Sequence, residues 1–400
     1  MADTAQSLIL VANPGSASRK YALYDSALTE RAQLHVEHVG AGIQATLHRG
    51  TESQNIPVDF SDITEAGRQI STILREQNIL QDGETIDRIG LRVVAPSAYF
   101  MTDHVINHEV VAKLEEVASL APLHIRATLN ELKLLRDSNQ TAQIVGVSDS
   151  AFHATKPNYA WNYGINIQDA DRLDIKRFGY HGLSVSSAIE ALWNAGKLPP
   201  KVIVCHLGSG SSITGVFHGR SIDTTMGFTP LDGVIMATRS GSIDPGAVRA
   251  LQHGLKLDEE GLENYLNNNS GLLGLGGSND IRQLIQREID GDHAAHLALT
   301  TLIHTIHKAI GSMLVAMNGC DLLVFTGTVG ERSANLRKRI VAHLEFTDFI
   351  LDGELNNACT NPDKMTILNQ KGKSRPIFVI PANESREIAK HVLGATKNVQ

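Results

Sequence analysis

Three glycine-rich segments of the sequence carry residues suited to binding phosphate. The first spans residues 13–18 (NPGSAS), the second residues 208–212 (GSGSS) and the third residues 327–330 (GTVG). Backbone N–H groups and hydroxyls can cradle a phosphate where no side chain blocks its approach. Asn, Pro, Gly and Ser are also ordinary hairpin residues, so the first segment alone fits a plain turn equally well. The recurrence of the pattern favours one polyphosphate held from several sides.

Apolar strands precede all three segments and must position them. Residues 8–25 read as a hairpin, with a Val- and Leu-rich strand before the turn and an alternating strand after it. Residues 202–223 repeat this order, and residues 322–326 form a further apolar run before the third segment, which we interpret as another turn. The repeated hairpin predicts a duplicated architecture.

Two common nucleotide-binding motifs do not fit these segments. A dinucleotide fingerprint that begins at Gly208 would need a glycine where Ile213 stands. No Gly-x4-Gly-Lys-Ser/Thr segment occurs in the chain. Rossmann dehydrogenases and P-loop enzymes are therefore disfavoured.

Length and composition limit the class of protein. A chain of 400 residues predicts two domains, each of roughly 150 to 250 residues. The formal net charge of -7, without basic clusters, argues against nucleic acid as a partner. Three cysteines without metal or disulfide spacing suit a reducing, cytoplasmic location. No signal pattern precedes the first strand, and the most apolar helical stretch, about residues 297–317, contains histidines and a lysine. We expect a core helix there and no membrane span.

Strands and helices alternate between the glycine-rich segments. Residues 108–121 place Val110, Leu114 and Val117 on one helix face, and a buried strand ends at Asp149. The sequence predicts an α/β protein with a domain of residues 1–150 and a second of residues 151–384. The last helix, about residues 385–400, is expected to join the first domain.

Seven motifs, in order along nearly the whole chain, resemble the acetate kinase family. They are NPGSAS with Lys20, RFGYHGLS, HLGSGSS, DTTMGFTPLDG, TRSGSIDPG, FTGTVGE and IPANE. The resemblance implies two ribonuclease H-like domains of the sugar kinase, Hsp70 and actin superfamily, a duplicated core with an interdomain cleft. It also implies phosphoryl transfer between ATP and a short carboxylate, giving ADP and an acyl phosphate, with Mg²⁺ as cofactor and a homodimeric assembly.

Four residues match catalytic positions of the family. Arg92 and Arg239 match two catalytic arginines, and His181 matches a histidine that donates to the transferring phosphoryl group. Phosphoryl transfer needs alignment and positive charge more than covalent chemistry, and a guanidinium can grip both carboxylate and phosphate oxygens. Asp149 matches a carboxylate on the metal side. Asn13 and Glu384 are the expected metal-binding residues, since Mg²⁺ commonly takes only one or two protein carboxylates.

The resemblance also implies a nucleotide site and an acceptor pocket. The expected nucleotide-binding residues are Asn13, Ser16, Ser18, Lys20, His206, Gly208, Gly210, Asp280, Ile281, Arg282, Gly327, Thr328 and Gly330. The expected carboxylate-binding residues are Arg92, Val94, Leu123, Tyr180 and Pro230.

The sequence departs from the family pattern in three places. Leu91 stands before Arg92 and Ala95-Pro96-Ser97 follow Val94, where the family usually has His-Arg-Val-Val-His-Gly-Gly. Ile125-Arg126 replace the usual Asn-Pro, and Thr328 replaces a usual glycine. The first two departures concern the acceptor and the third concerns the nucleotide.

Three functions therefore stand as hypotheses. An ATP-dependent acetate kinase is the leading one. A relative that uses propionate, butyrate or another short carboxylate, or pyrophosphate as donor, is the second. A nucleotide-dependent binding protein of the actin and Hsp70 type is the third, and the presence of Arg92, His181 and Arg239 counts against it.

Overall fold

The computed structural model describes residues 7–15, 18–39 and 42–397. These residues form two compact units, each considered by itself below. The first unit comprises the described residues up to Ala151 together with those from Asn383 on, and the second comprises Phe152–Ala382. The interpretation of this division as two functional domains stays a prediction.

The described residues contain strands and α-helices that alternate along the chain. The strands are β1 (Leu8–Pro14), β2 (Ser18–Asp25), β3 (Glu30–Val39), β4 (Gly42–Arg49), β5 (Glu52–Ile56), β6 (Ile86–Val93), β7 (His104–Val105), β8 (Gln143–Ser148), β9 (Lys201–Leu207), β10 (Ser211–Phe217), β11 (Arg220–Thr224), β12 (Leu322–Thr326), β13 (Thr366–Ile367) and β14 (Ile377–Val379). The helices are α1 (Ala66–Glu76), α2 (His108–Glu116), α3 (Pro122–Ser138), α4 (Ile167–Arg172), α5 (Gly182–Asn194), α6 (Pro245–Leu255), α7 (Glu259–Asn268), α8 (Gly271–Gly276), α9 (Ile281–Ile289), α10 (His293–Ala316), α11 (Gly327–Arg332), α12 (Ala334–Val341), α13 (Gly353–Ala358) and α14 (Glu384–Lys397).

The sheet of the first unit is built around β1. Over the described residues its strand order is β5-β4-β3-β2-β1-β6-β8-β7. Strand β1 pairs antiparallel with β2 and parallel with β6, which in turn pairs parallel with β8. The apolar residues 8–12 of β1 are fully buried, as expected for a strand covered on both faces. The carboxyl ends of β1, β6 and β8 therefore lie at one edge of this sheet.

The second unit repeats this arrangement around β9. Its strand order, for the part of the chain that is described, is β11-β10-β9-β12-β14-β13. Strand β9 pairs antiparallel with β10 and parallel with β12. Helix α10 contributes nine buried residues, from Ala295 to Met313, and belongs to the main core of this unit. The predicted α/β fold is confirmed.

Helix α14 packs against β1 and β6 of the first unit. Gly90 on β6 makes this approach possible, because a Cβ atom there would lie 2.5 Å from Cγ2 of Ile388 and 2.8 Å from Cγ2 of Val392. Ile388 and Val392 are fully buried. The close packing places Glu384, the first residue of the helix, in the first unit.

The third glycine-rich segment is a helix and not the predicted turn. Helix α11 begins at Gly327, directly after β12. Gly327 has φ of +78°, a left-handed conformation that redirects the chain from strand into helix without a connecting turn.

A membrane-spanning helix is absent from the described residues, since none of their helices combines the necessary length with the necessary apolar character.

An ion pair anchors α14 to the rest of the first unit. Nδ1 of His391 lies 2.7 Å from Oδ2 of Asp103, and its Nε2 lies 3.4 Å from Oε1 of Glu387. Burial by itself lowers the pKa of His391, but hydrogen bonds and charges from the two carboxylates outweigh it and raise the pKa to about 9. The charged imidazole therefore stabilises the folded state.

We expect this stabilisation to disappear at alkaline pH. The folded pKa of His391, about 9, exceeds the ordinary histidine value, so the contribution is complete below about pH 6.5 and is lost as the pH rises through the folded value. His391→Gln should lower the free energy of unfolding by roughly 1 to 3 kcal/mol at pH 6 and by almost nothing at pH 10. Urea denaturation across this range measures it, with exposed His108→Gln as control. An equal loss at both pH values would contradict the assignment.

Candidate active site

Four polar side chains meet where strands of the first unit end. Asn13 lies near the end of β1, Arg92 near the end of β6, Asp149 directly after β8, and Glu384 at the start of α14. Nη2 of Arg92 donates to Oδ2 of Asp149 at 2.9 Å, and Nη1 donates to Oδ1 of Asn13 at 3.1 Å. The amide of Asn13 donates to Oε2 of Glu384 at 2.9 Å. We call these four residues the Arg92 cluster.

The Arg92 cluster combines one guanidinium with two carboxylates. Burial opposes the charge on Arg92, but the charge of Asp149 and then that of Glu384 outweigh it, so the pKa of the guanidinium is raised. The side chain of Asp149 is 1% exposed, while those of Arg92 and Glu384 are 17% and 18% exposed. The two carboxylates give the cluster a net charge of one negative unit, and this favours a further cation.

The oxygen donors of the Arg92 cluster fit a hard divalent cation. Mg²⁺ prefers carboxylate, amide and water oxygens, and it retains several waters in nucleotide sites. Among the described residues, no three His, Cys, Asp or Glu side chains are grouped to hold a metal ion. Asp149 and Glu384 would thus have to hold Mg²⁺ with help from water or phosphate oxygens, as the sequence predicts.

The first hairpin brings Lys20 opposite Asn13. These two residues are paired across β1 and β2. The side chain of Lys20 is exposed, whereas Asn13 is 8% exposed. The carbonyl of Ser18 accepts the backbone N–H of Gly15 at 2.9 Å. Ser16 lies outside the described residues.

Two histidines, His181 and His206, lie side by side in the second unit, one just before α5 and the other near the end of β9. His181 precedes α5 with φ of 60°, and its Nδ1 lies 3.1 Å from Oγ of Ser212. The His181 and His206 rings lie 4.1 Å apart between centroids. Nδ1 of His206 lies 2.7 Å from Oγ of Ser184. These four buried residues, the His181 cluster, are held in fixed orientations by two hydroxyls.

Gly210 brings the second glycine-rich segment against His181 and Arg239. A Cβ atom at Gly210 would lie 3.1 Å from Nε2 of His181 and 3.4 Å from Nη1 of Arg239. The His181 ring and the Arg239 guanidinium therefore both face the backbone of Gly210. Nη1 of Arg239 also donates to the carbonyl of Pro230 at 3.3 Å. The structure thus brings His181 and Arg239, which are predicted for phosphoryl transfer, close to Gly210, and it joins Arg239 to Pro230, which is predicted for acceptor binding.

The predicted acceptor residues are distributed over both units. Tyr180 and Pro230 are buried in the second unit, and the Tyr180 hydroxyl donates to the carbonyl of Phe228 at 2.6 Å. Val94 and Leu123 belong to the first unit and are 9% and 36% exposed. With Arg92, the first unit therefore offers three of the predicted acceptor residues, and the second unit offers two.

Two of the predicted nucleotide residues of the second unit, Gly208 and Ile281, line one small cavity. The cavity has a volume of about 10 Å³, close to the space of one water molecule, and its lining also includes Val329. It joins the second glycine-rich segment, the start of α9 and the middle of α11. Asp280 caps α9 by accepting the N–H of Arg282 at 2.8 Å, and it also forms an ion pair with that exposed side chain at 2.7 Å.

Helix α11 lies directly on the end of β9. A Cβ atom at Gly327 would lie 2.7 Å from the carbonyl oxygen of Leu207, and one at Gly330 would lie 3.6 Å from Cβ of Leu207. Thr328 is exposed on this helix, so its added side chain does not fill the core beneath. Glycine is thus needed at 327 for close approach, whereas a Cβ atom at 330 would make only an ordinary contact and the side chain at 328 is exposed.

Two contributors to the site were not singled out from the sequence. Ser184 orients His206 from the first turn of α5, and Arg337 contacts the carbonyl ends of α11. Ser184 is the last residue of the RFGYHGLS motif, and this position could have indicated the first contributor. Nothing in the sequence around Arg337 distinguishes it from a surface arginine.

Comparison with known proteins gives matches over almost the entire chain. The profile of the Acetokinase family matches residues 8–390. The acetate kinase of Caldanaerobacter subterraneus subsp. tengcongensis is 37% identical over 402 residues, covering 98% of this chain and 100% of that protein. The acetate kinase of Thermoanaerobacter pseudethanolicus is 38% identical, with 96% and 97% covered.

Solved structures agree with these sequence matches. Porphyromonas gingivalis acetate kinase superimposes with a TM-score of 0.83 at 31% identity, covering 98% of this chain and 100% of that one. A propionate kinase from Francisella tularensis gives a TM-score of 0.87 at 34% identity, with 97% and 99% covered. The fold is therefore of the actin, Hsp70 and sugar kinase type that the sequence predicts.

Removal of the Arg92 guanidinium should expose the repulsion between its acidic partners. Arg92→Met keeps the length of the side chain but leaves Asp149 and Glu384 without their shared cation. We expect the free energy of unfolding to fall by about 3 kcal/mol at pH 7, because a part-buried charge loses its partner. Urea denaturation at pH 7 measures the loss, with exposed Arg126→Met as control, and an unchanged free energy of unfolding in Arg92→Met would count against the cluster.

Proposed function

Because the chain belongs to the Acetokinase family, we propose that it catalyses reversible, Mg²⁺-dependent phosphoryl transfer between ATP and acetate. The products are ADP and acetyl phosphate. Family membership makes the chain a kinase with a carboxylate as acceptor. The observation that carries the assignment of the site is that Arg239 and His181 face the same glycine, Gly210, in a chain matched from residue 8 to residue 390.

Arg239 and His181 are proposed to stabilise the transferring phosphoryl group. Charge spreads over the equatorial oxygens of that group in the transition state, and fixed donors there lower the barrier. When the Ser212 hydroxyl donates to Nδ1 of His181, the proton of the neutral ring resides on Nε2, which then donates to a phosphoryl oxygen. His206, held by Ser184, packs on the His181 ring and keeps its plane fixed.

Arg92 is proposed to hold the acceptor carboxylate. Its guanidinium has five donors, so it can retain Asp149 while it binds a carboxylate oxygen with another N–H. Asp149, Glu384 and Asn13 would hold Mg²⁺, which supplies positive charge to the phosphate oxygens when it is bound. The Arg92 cluster thus combines acceptor binding with a metal site.

The nucleotide is proposed to bind along the glycine-rich segments. Asn13, Ser16, Ser18 and Lys20 would contact phosphates from the first unit, and Gly208 and Gly210 from the second. Asp280, Ile281, Arg282, Gly327, Thr328 and Gly330 would contact the nucleoside. Support comes from the closeness of Gly208 to Ile281, which line the same small cavity beside α11. The exposed position of Thr328 supports ATP over pyrophosphate as donor, since its side chain lies on the surface of α11.

Val94, Leu123, Tyr180 and Pro230 are proposed to form a small apolar acceptor pocket. The departures from the family pattern at Leu91 and Ile125 do not alter this proposal, because both side chains are fully buried in cores of the first unit. Propionate is the second candidate acceptor, since the similar Francisella structure is a propionate kinase. A homodimer in the cytoplasm is proposed on the family resemblance alone.

Loss of Arg239 should impair turnover and not folding. Arg239→Ala should lower kcat by roughly 100- to 1,000-fold, the effect of removing a transition-state donor. Arg92→Ala should additionally raise the KM for the carboxylate, because that side chain also binds the acceptor before reaction. Steady-state kinetics with exposed Arg249→Ala as control tests both. Near-normal turnover in Arg239→Ala would refute the assignment.

The acceptor can be identified by trapping the acyl phosphate product with hydroxylamine. Acetate, propionate and butyrate should be compared with MgATP as donor. Since one methylene group in an apolar pocket contributes only about 1 to 3 kcal/mol, propionate should react with a loss in kcat/KM of less than about 200-fold. A clear preference for a hydroxylated or dicarboxylic acid would exclude the apolar pocket.

A further inference from the structure

Arg337 is a fully buried cation that binds two helix ends. It lies on α12 and is 0% exposed. Nη1 donates to the carbonyls of Gly330 at 2.8 Å and Glu331 at 2.7 Å, both in α11. Nε and Nη2 donate to Oδ1 and the carbonyl of Asn356 in α13, at 2.8 and 3.0 Å. Nη2 also reaches the carbonyl of Cys359, just beyond α13.

This environment is unusual for a buried charge. In the part of the chain that the structure describes, no carboxylate forms an ion pair with Arg337, and its acceptors are carbonyl or amide oxygens. Taking a cation out of water is costly, so such a residue is retained where its full set of hydrogen bonds is needed. The last carbonyls of a helix have no partner within that helix, and one guanidinium here satisfies such carbonyls from two short helices.

Arg337 fixes the helix that carries the third glycine-rich segment. On its other side, α11 meets the end of β9, where Gly327 approaches the carbonyl of Leu207 closely. The helix is thus clamped between β9 and Arg337. A side chain of α11 makes a further hydrogen bond that holds the helix: Oε1 of Glu331 accepts the backbone N–H of Ala382 at 2.9 Å. The position of α11 relative to the cavity beside Gly208 therefore depends on these bonds.

We propose that Arg337 is a positioning residue for the nucleoside part of the nucleotide. It holds α11, which carries Gly327, Thr328 and Gly330, at a fixed distance from the segment that follows β9. This inference rests on the proposed function for its ligand, an adenine nucleotide. Arg337 contacts no part of the reacting groups, so its effect is on nucleotide affinity and not on the chemical step.

Substitution should separate nucleotide affinity from acceptor affinity. Arg337→Met has a similar length and no donors, and it leaves the carbonyls of α11 and α13 unsatisfied. We expect the KM for ATP to rise by about tenfold or more, with kcat per folded molecule and the KM for acetate changed by less than about twofold. Arg337→Lys should show an intermediate rise, because one ammonium group cannot span both helix ends.

Two further variants distinguish positioning from general destabilisation. Ile340→Ala removes a fully buried side chain from the same helix without touching α11 carbonyls. It should lower stability while leaving the KM for ATP unchanged. Should Arg337→Met fail to fold, Asn356→Ala removes one acceptor of the guanidinium and should raise the KM for ATP by a smaller factor. An unchanged KM for ATP in all folded variants at Arg337 and Asn356 would overturn the proposal, as would an equal rise in Ile340→Ala.

Calorimetric titration with MgADP separates this inference from the proposed function. Weaker ADP binding by the variants than by the parent supports the positioning role, even if the parent phosphorylates no carboxylate. Equal binding by parent and variants overturns it while leaving the kinase proposal intact. Absence of ADP binding by the parent overturns both the inference and the nucleotide half of the proposed function.

Discussion

Parallel pairing of a central strand with its neighbours fixes where the functional side chains of each unit lie. In the first unit the ends of β1, β6 and β8 are adjacent, so Asn13, Arg92 and Asp149 meet although they are far apart in sequence. In the second unit, β9 and β12 are parallel neighbours, which places Gly208 and Gly327 close together. Sites gather at such strand ends because the helices and loops that follow supply variable residues on a rigid support.

Three arginines show different solutions to holding a positive charge in protein. Arg92 is bound by carboxylates, and these raise its pKa against the effect of burial. Arg239 contacts the carbonyl of Pro230 and approaches Gly210, so a phosphate at that backbone would meet it directly. Arg337 donates to backbone carbonyls near the ends of the two helices α11 and α13. A guanidinium serves in all three because its planar donors can address several acceptors at once.

The sequence predicted the hairpins, the α/β class and the family because these depend on local patterns. Apolar runs followed by small residues define β1–β2 and β9–β10 in both the sequence and the structure. Helix α11 was mistaken for a turn, because the glycines that suggest a turn also permit the sharp strand-to-helix change at Gly327. The Arg337 contacts were not predicted either, since its acceptors are backbone carbonyls that have no signature in the sequence. The roles of Arg92, His181 and Arg239 remain predictions, now with defined neighbours.

The central claim is that the γ-phosphoryl group of ATP passes to a carboxylate. ³¹P NMR of the purified protein with MgATP and acetate follows donor and products in one sample, and pyrophosphate can replace ATP in a parallel sample. The account predicts equal amounts of ADP and acetyl phosphate from ATP, with no acyl phosphate from pyrophosphate. Formation of ADP and inorganic phosphate without any acyl phosphate, or of acyl phosphate from pyrophosphate alone, would contradict it.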